Sequence, residues 1–439
     1  MALRHARFAI TSQSFRNVVY VGAVQLATLT VPLITTPWIL RALEPAAYGK
    51  YALALAVVQY GIIIVDFGFY LTATRRIAQM RDNRDDVTRY FWTVQTARLL
   101  LAVLGAFAVI AAVCLIPKFW PLVGVTLSAL PALLGTLLNP QWLFLGLEHI
   151  KTVSLANIAA RSVSVIPILV FVKDPGDLNT AAFLSSCNYL FAGIISALVV
   201  AKRGFVGRPC IPRRAELVSA YRDAWPLFVT SMAFSLYSAS NTVVLGLVRS
   251  TSEVAVFSAA DRLRQAAVMP ISPISTVFFP KLARMLEVDR RRALKLILVL
   301  TMVLLLGTTF ISLTTLMLAP WIIELYTGGA YSEAVPVLRI LSIAPIFIGL
   351  NTALGTLVMI NVGMSKQCSR IVVAGGLLNL ILLFWLGALN GAQGAATAVV
   401  TTEAFVTLAM SIALKRAGFY REVIGAVFGD SRTNNDEDN

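Results

Sequence analysis

Runs of roughly 20 apolar residues, each long enough to cross the hydrocarbon of a bilayer, recur along almost the whole chain. Twelve can be drawn, at residues 18–40, 51–72, 94–116, 120–147, 153–172, 180–201, 225–248, 254–278, 295–319, 336–361, 370–389 and 392–414. Lipid offers no water to satisfy free backbone groups, so the helix is the default spanning element. The expectation is an all-α polytopic membrane protein with about 12 transmembrane helices. Only 13% of the 439 residues are charged, against the ~25% of a soluble domain.

The formal net charge of +15 could suggest a nucleic-acid partner, but its placement argues otherwise. Most Lys and Arg fall in the N-terminus, the C-terminus and the loops after every second span, and few fall in the alternate loops. That bias sets both termini on the cytoplasmic side of the membrane. The basic balance is then a topology signal and an attraction to lipid headgroups, with no nucleic acid involved. Residues 1–17 read as a cytoplasmic tail, and residues 415–439 as a second, ending in the acidic, disordered GDSRTNNDEDN. Cys114, Cys187, Cys210 and Cys368 are scattered, and His5 and His149 are isolated, so no disulfide framework, metal site or cofactor is expected.

The longest polar connection, residues 202–224 (KRGFVGRPCIPRRAELVSAYRDA), divides the spans six and six. It reads as a cytoplasmic linker, with a short amphipathic helix near 214–222, between an N-lobe at 18–201 and a C-lobe at 225–414. An internal repeat supports the division. Shifting by 206 residues lays WILRALEPAAYGKYALA (38–54) over VLGLVRSTSEVAVFSAA (244–260), with Tyr51 on Phe257 and Ala54 on Ala260. Halves with an even number of spans insert in the same orientation, a common transporter plan.

Five arginines, Arg98, Arg161, Arg262, Arg264 and Arg339, sit inside or at the mouth of these spans. A charge in hydrocarbon costs at least ~2.5 kcal/mol and marks a pathway or cavity by default. Asp261 and Arg264 share a helix face, which fits an internally paired couple. With Arg262 beside them the cluster keeps a net positive charge, which favours an anion-binding cavity. Arg161 lies about two turns into its span and points to an interior; Arg98 and Arg339 fit either a cavity or a side chain reaching back to the headgroups. Ser231, Ser235, Ser238 and Asn241 form a polar stripe, read equally as a tight helix contact or as hydrogen bonds to a polyhydroxylated solute. Asp66, Asp261 and Glu403 are the acids that could carry protons at depth, Glu403 being equally able to neutralise an arginine. No phosphate-binding Gly-rich loop, nucleophile elbow or HExxH occurs, and no loop has room for a catalytic domain. A transporter, and no enzyme, is the expectation.

Two long segments carry a resemblance. In VPLITTPWILRALEPAAYGKYALALAVVQYGIIIVDFGFYLTATRRIAQMRDN (31–83) the features are the Pro-Leu-Ile-Thr-Thr-Pro run, Tyr48-Gly49-x-Tyr51, Gln59 and Val65-Asp66-Phe67-Gly68-Phe69. In residues 225–284 they are Ser240-Asn241-Thr242, Val256-Phe257-Ser258-Ala259-Ala260, Ser272-Pro273-Ile274-Ser275 and Phe279-Pro280. GAQGAATAVVTTEAF near the last span extends the match. The chain resembles the bacterial polysaccharide transporter family of the multidrug/oligosaccharidyl-lipid/polysaccharide exporter superfamily. The resemblance implies two six-helix lobes around a central cation-lined cavity, and proton-coupled flipping of an undecaprenyl-diphosphate-linked glycan such as an O-antigen, capsule or exopolysaccharide unit. Arginines would hold the diphosphate, hydroxyl stripes the sugars, and the bilayer the polyprenyl tail. A polysaccharide polymerase and a chain-length regulator are the implied protein partners. The lipid II flippases of this superfamily usually carry two further C-terminal helices, which weighs against a peptidoglycan precursor. A multidrug exporter is the alternative, disfavoured because Asp66 faces two arginines in the N-lobe. A membrane-embedded glycosyltransferase would show an acidic metal motif on an early outer loop.

Overall fold

The computed structural model describes residues 12–238 and 240–428. No strand occurs among them. Eight helical stretches there are long and apolar enough to span a membrane, the longest being Ser365–Arg416, which covers two of the spans read from sequence, and Ile34–Met80, which covers one and the end of another. The chain divides into two compact units after Ser235.

In the first unit the helices are α1 (Ser12–Asp66), α2 (Phe69–Met80), α3 (Arg84–Leu115), α4 (Val123–Ala129), α5 (Pro131–Leu138), α6 (Gln141–Gly146), α7 (Ile150–Phe171), α8 (Leu178–Arg203) and most of α9 (Arg214–Ser238). The α1 helix is two helices joined at Glu44, whose φ of 56° and ψ of 168° interrupt the ladder. Proline and asparagine divide the fourth expected span. Pro131 opens α5, and Asn139, extended, with Pro140 behind it, closes that helix. Glycine allows α5 and α8 to cross backbone to backbone: a Cβ on Gly135 would lie 2.2 Å from the carbonyl carbon of Tyr189, and one on Gly193 would lie 2.5 Å from the Gly135 oxygen. Phe67, Phe69, Phe91, Trp142, Ala220 and Ala224 contribute to the core at one end of the unit.

The connector after α8 is bolted to this unit. Arg84 donates to the Gly204 carbonyl at 2.7 Å, the Gly207 amide to the Thr88 hydroxyl at 2.9 Å, and Tyr221 to the Ala97 carbonyl at 2.9 Å. Burial holds the Tyr221 phenol above the usual tyrosine range. Ion pairs Arg89–Glu216 (2.6 Å) and Arg76–Asp223 (2.8 Å) complete the attachment. Hence residues 225–235, read from sequence as the start of the second lobe, pack with the first unit.

The second unit contains α10 (Ser240–Val248), α11 (Thr251–Val268), α12 (Ile271–Val288), α13 (Arg290–Thr327), α14 (Ala334–Leu341), α15 (Ala344–Asn351), a π-helical stretch (Thr352–Met359), α16 (Ser365–Arg416) and α17 (Phe419–Phe428). Ser250 separates α10 from α11 and caps α11 through its hydroxyl. The 206-residue shift places this break on Glu44, so the repeat aligns the first hairpin of each unit at its turn. The α16 helix is likewise two, with Gly391 at φ 56° and ψ −132° between them. Part of the expected C-terminal tail is ordered: α17 packs on α13 through Arg290–Glu422 at 2.7 Å and a bond from Arg291 to the Ala426 carbonyl. The N-terminal residues 1–11 and the acidic end at 429–439 lie outside the described residues.

Candidate functional site

A cavity of about 190 Å3 opens inside the first unit among α1, α3, α5, α6, α7 and α8. Asp66, Arg98, Asn139, Trp142, Asn157 and Arg161 are among its lining residues. At ~30 Å3 per water it holds several waters, or a small anionic group.

Each side chain is placed by a local break in regular structure. Asp66 ends α1, where Phe67 and Gly68 take positive φ. Asn139 follows the last turn of α5, and Trp142 begins the next helix. Asn157 and Arg161 are four apart on α7 and so share a face. Asn139 donates a long bond to Asn157 at 3.4 Å.

Arg98 is only 2% exposed. Its guanidinium donates to the carbonyls of Thr136 (2.6 Å), Leu137 (3.3 Å) and Asn139 (3.4 Å). Pro140 has no N–H and the chain turns away, so these carbonyls at the end of α5 need an outside donor. The headgroup reading of Arg98 therefore does not hold, since the side chain is buried and caps a helix. It also interacts electrostatically with Asp66. Three polar atoms around the cavity remain without hydrogen-bond partners: Nε of Arg98, Nε1 of Trp142 and Oδ1 of Asn139. Arg161 is half-buried and has no ion pair among the described residues. The cavity thus offers the half-buried guanidinium of Arg161, with the Arg98 and Trp142 N–H groups buried in its wall and one carboxylate against two arginines.

The second unit disposes its charges differently. Arg264 donates to Asp261 at 2.7 Å, and Gln265 takes the other carboxylate oxygen at 2.7 Å. Asp261 is buried among them, whereas Arg262 is exposed on the same helix. The i,i+3 couple foreseen in the sequence is formed. Arg339 lies on the exposed face of α14. Glu403 is buried and accepts from Asn351 at 2.8 Å, and Thr407 donates to the Asn351 oxygen at 2.7 Å. Asn351 immediately precedes the π-helical stretch. In the polar stripe, Ser231 is exposed, while Asn241 is buried and accepts from Asn379 at 2.8 Å, which ties α10 to α16. The side chains of Ser235 and Ser238 lie outside what the structure describes. Of the sequence-derived candidates, the structure unites Asp66, Arg98 and Arg161 in one cavity, and Asp261 with Arg264.

Sequence reasoning passed over Asn139, Asn157, Trp142 and Asn351. An Asn-Pro pair within an apolar run, and Asn157 one turn before Arg161, were the available signals. It also passed over the neighbours Arg249 and Glu253. Arg249 donates to the carbonyls of Gly387 (3.2 Å), Ala388 (2.7 Å) and Leu389 (2.7 Å) at the end of the first half of α16. Glu253 accepts the Ala392 amide at 2.7 Å, at the start of the second half. A cation thus sits at a helix C-terminus and an anion at the next N-terminus, matching both macrodipoles.

Paired half-helices and enclosed charges within apolar segments are features of a multi-pass membrane transporter. The structure resembles that of an inward-facing transporter of the MATE family in the MOP superfamily, with a TM-score of 0.73, 14% identity, and 92% of this chain and 99% of that one covered. It also resembles the lipid II flippase MurJ in an inward closed conformation, at 0.71, 13% identity, 94% and 91%. The sequence matches the family described as "Polysaccharide biosynthesis protein" over residues 14–286. It is 34% identical over 397 residues to the "Putative O-antigen transporter" of Escherichia coli, covering 90% of this chain and 95% of that one. A protein of the same description from Shigella dysenteriae is 28% identical over 400 residues, covering 91% and 100%. The chain belongs to the polysaccharide biosynthesis protein family.

Proposed function

We propose that this transporter flips a lipid-linked oligosaccharide, of the O-antigen kind, across the bacterial inner membrane, with an undecaprenyl diphosphate as carrier. Family membership and the names of its relatives support the substrate class. The observation that carries the reading at residue level is the cavity of the first unit, lined by Arg161 together with Arg98, Asn139 and Asn157 within the apolar helices. The guanidinium fork of Arg161 can grip a diphosphate through two hydrogen bonds while staying ionised. Two arginines against Asp66 leave the cavity positive, which favours an anion over a cationic drug. Asn139 and Asn157 offer neutral hydrogen bonds to the first sugar. The exposed hydroxyl of Ser231 and the cations Arg262, Arg264 and Arg339 belong to later stages of the glycan's passage. Both termini face the cytoplasm in this reading, and a polymerase and a chain-length regulator act on the flipped unit.

Proteoliposomes carrying a fluorescent polyprenyl-diphosphate oligosaccharide test the proposal. The fraction shielded from a membrane-impermeant quencher should change with time when the protein is present. An unchanging fraction, together with normal surface glycan in a strain lacking the gene, would overturn it. Coupling is assigned to protons through Glu403, whose carboxylate bonds to Asn351 at the head of the π-helical stretch. Glu403→Gln should abolish acceleration by a pH gradient while sparing downhill exchange; acceleration equal to wild type would remove Glu403 from the coupling path.

A further inference from the structure

The connector joins α8 to the apolar run of α9 and is tied to the ends of α2 and α3, which places it at the level of one membrane surface. Its two carboxylates are both engaged from outside, Glu216 by Arg89 and Asp223 by Arg76. Among the described residues, none of its cations Lys202, Arg203, Arg208, Arg213, Arg214 and Arg222 forms an ion pair with an acid. The connector is therefore strongly positive after its internal acids have been neutralised.

The first turns of α9 concentrate that charge on one stripe. Arg214, Ala215, Val218, Ser219 and Arg222 line a single shallow hollow. They recur at helical spacing and so share a face, with the two arginines about 12 Å apart at 1.5 Å rise per residue. Between and beside them lie apolar groups left uncovered: Val218 is 50% and Trp225 55% exposed. On the opposite face, Leu217, Ala220, Tyr221 and Ala224 pack into the core of the unit, so the helix cannot roll its basic face away.

We infer that the Arg214–Arg222 face of α9 is a binding surface for anionic phospholipid headgroups. The two guanidinium groups are spaced for the phosphates of neighbouring lipids, while Val218 and Trp225 meet the top of the acyl region. An acidic protein would satisfy the charges but leave a tryptophan and a valine at headgroup level unexplained. A bilayer satisfies both, as interfacial amphipathic helices generally do. This differs from a general cytoplasmic excess of positive charge, because it requires two residues at fixed orientation.

The experiment uses full-length, delipidated protein in detergent, with phosphatidylglycerol or phosphatidylcholine added and the bound lipids counted by native mass spectrometry. Wild type should retain phosphatidylglycerol in preference to phosphatidylcholine, and the preference should weaken as salt rises from about 0.05 to 0.5 M. At the usual strength of a cation near an anionic surface, Arg214→Gln or Arg222→Gln should lower retention about fivefold, and the pair about 25-fold. The Arg214→Lys/Arg222→Lys protein should retain most of it. Among the described residues neither arginine side chain forms an ion pair, so the single variants give a readout even if the double variant is unstable. Equal binding of the two lipids by wild type, or undiminished phosphatidylglycerol binding by the glutamine variants, would overturn the assignment. Capture of an acidic protein in place of phosphatidylglycerol would do the same.

Discussion

Replacing Arg161 by alanine should leave a folded, inserted protein whose flipping rate falls roughly 10- to 100-fold, the loss of one charge-assisted hydrogen-bonding group. Replacing Arg98 by alanine should instead remove folded protein. The difference follows from what each guanidinium touches. Arg161 is half-buried at the cavity wall with no ion pair among the described residues, so its removal enlarges a polar space and exposes nothing new. Arg98 satisfies three carbonyls at the end of α5 from a position 2% exposed. Its removal strips a buried donor from the end of α5, leaving Thr136 only the 3.3 Å bond from the Asn139 amide and Leu137 the bond from Gln95, at ~1–3 kcal/mol for each buried acceptor left short of a partner. Thermal unfolding of the detergent-purified variants, paired with the proteoliposome assay, separates the two. Were Arg161→Ala to flip at the wild-type rate, the cavity would not be the headgroup site. Were Arg98→Ala to melt with wild type, the cap would be dispensable.

The second large effect is expected at Gly391. Its φ of 56° with ψ of −132° is a conformation that only glycine adopts readily, and a Cβ there would lie 2.5 Å from the Glu253 carboxylate. Gly391→Ala should therefore strain the backbone by ~1–3 kcal/mol and also displace the Glu253 cap from the Ala392 amide. Glu253→Gln keeps an acceptor oxygen and loses only the charge, so its effect should be clearly smaller. A drop of several degrees in Tm for Gly391→Ala, with Glu253→Gln between it and wild type, is the expected order. The reverse order would show that the junction is held by something other than this clasp.

Some of this was legible without coordinates. The span at 180–201 falls within α8, and that at 94–116 within α3 but for its last residue, because apolar length is a local property. The match of 38–54 to 244–260 located equivalent turns at Glu44 and Ser250, because a turn leaves its mark in a short window of residues. Asp261 and Arg264 could be paired from spacing alone, since i,i+3 neighbours meet on any helix. Arg98 could not be interpreted that way. Its partners lie 38 to 41 residues along the chain, at the end of a helix that Pro131 and Pro140 cut out of an apparently continuous span. Arg249 carries no local signal, since its carbonyl partners at 387–389 are more than a hundred residues away.

By itself, then, the sequence determined that this is a helical membrane protein, with cations kept where hydrocarbon makes them costly. Those properties follow from composition and periodicity, which act over one or two helical turns. Tertiary structure decided which cation does which work. It buried Arg98 as a cap, left Arg161 open to a cavity, paired Arg264 with Asp261, and fastened the connector of residues 202–224 to the first unit. A charge inside an apolar segment must be satisfied by something, and the sequence states that need without stating the partner, because the satisfying groups are brought close only when distant helices pack.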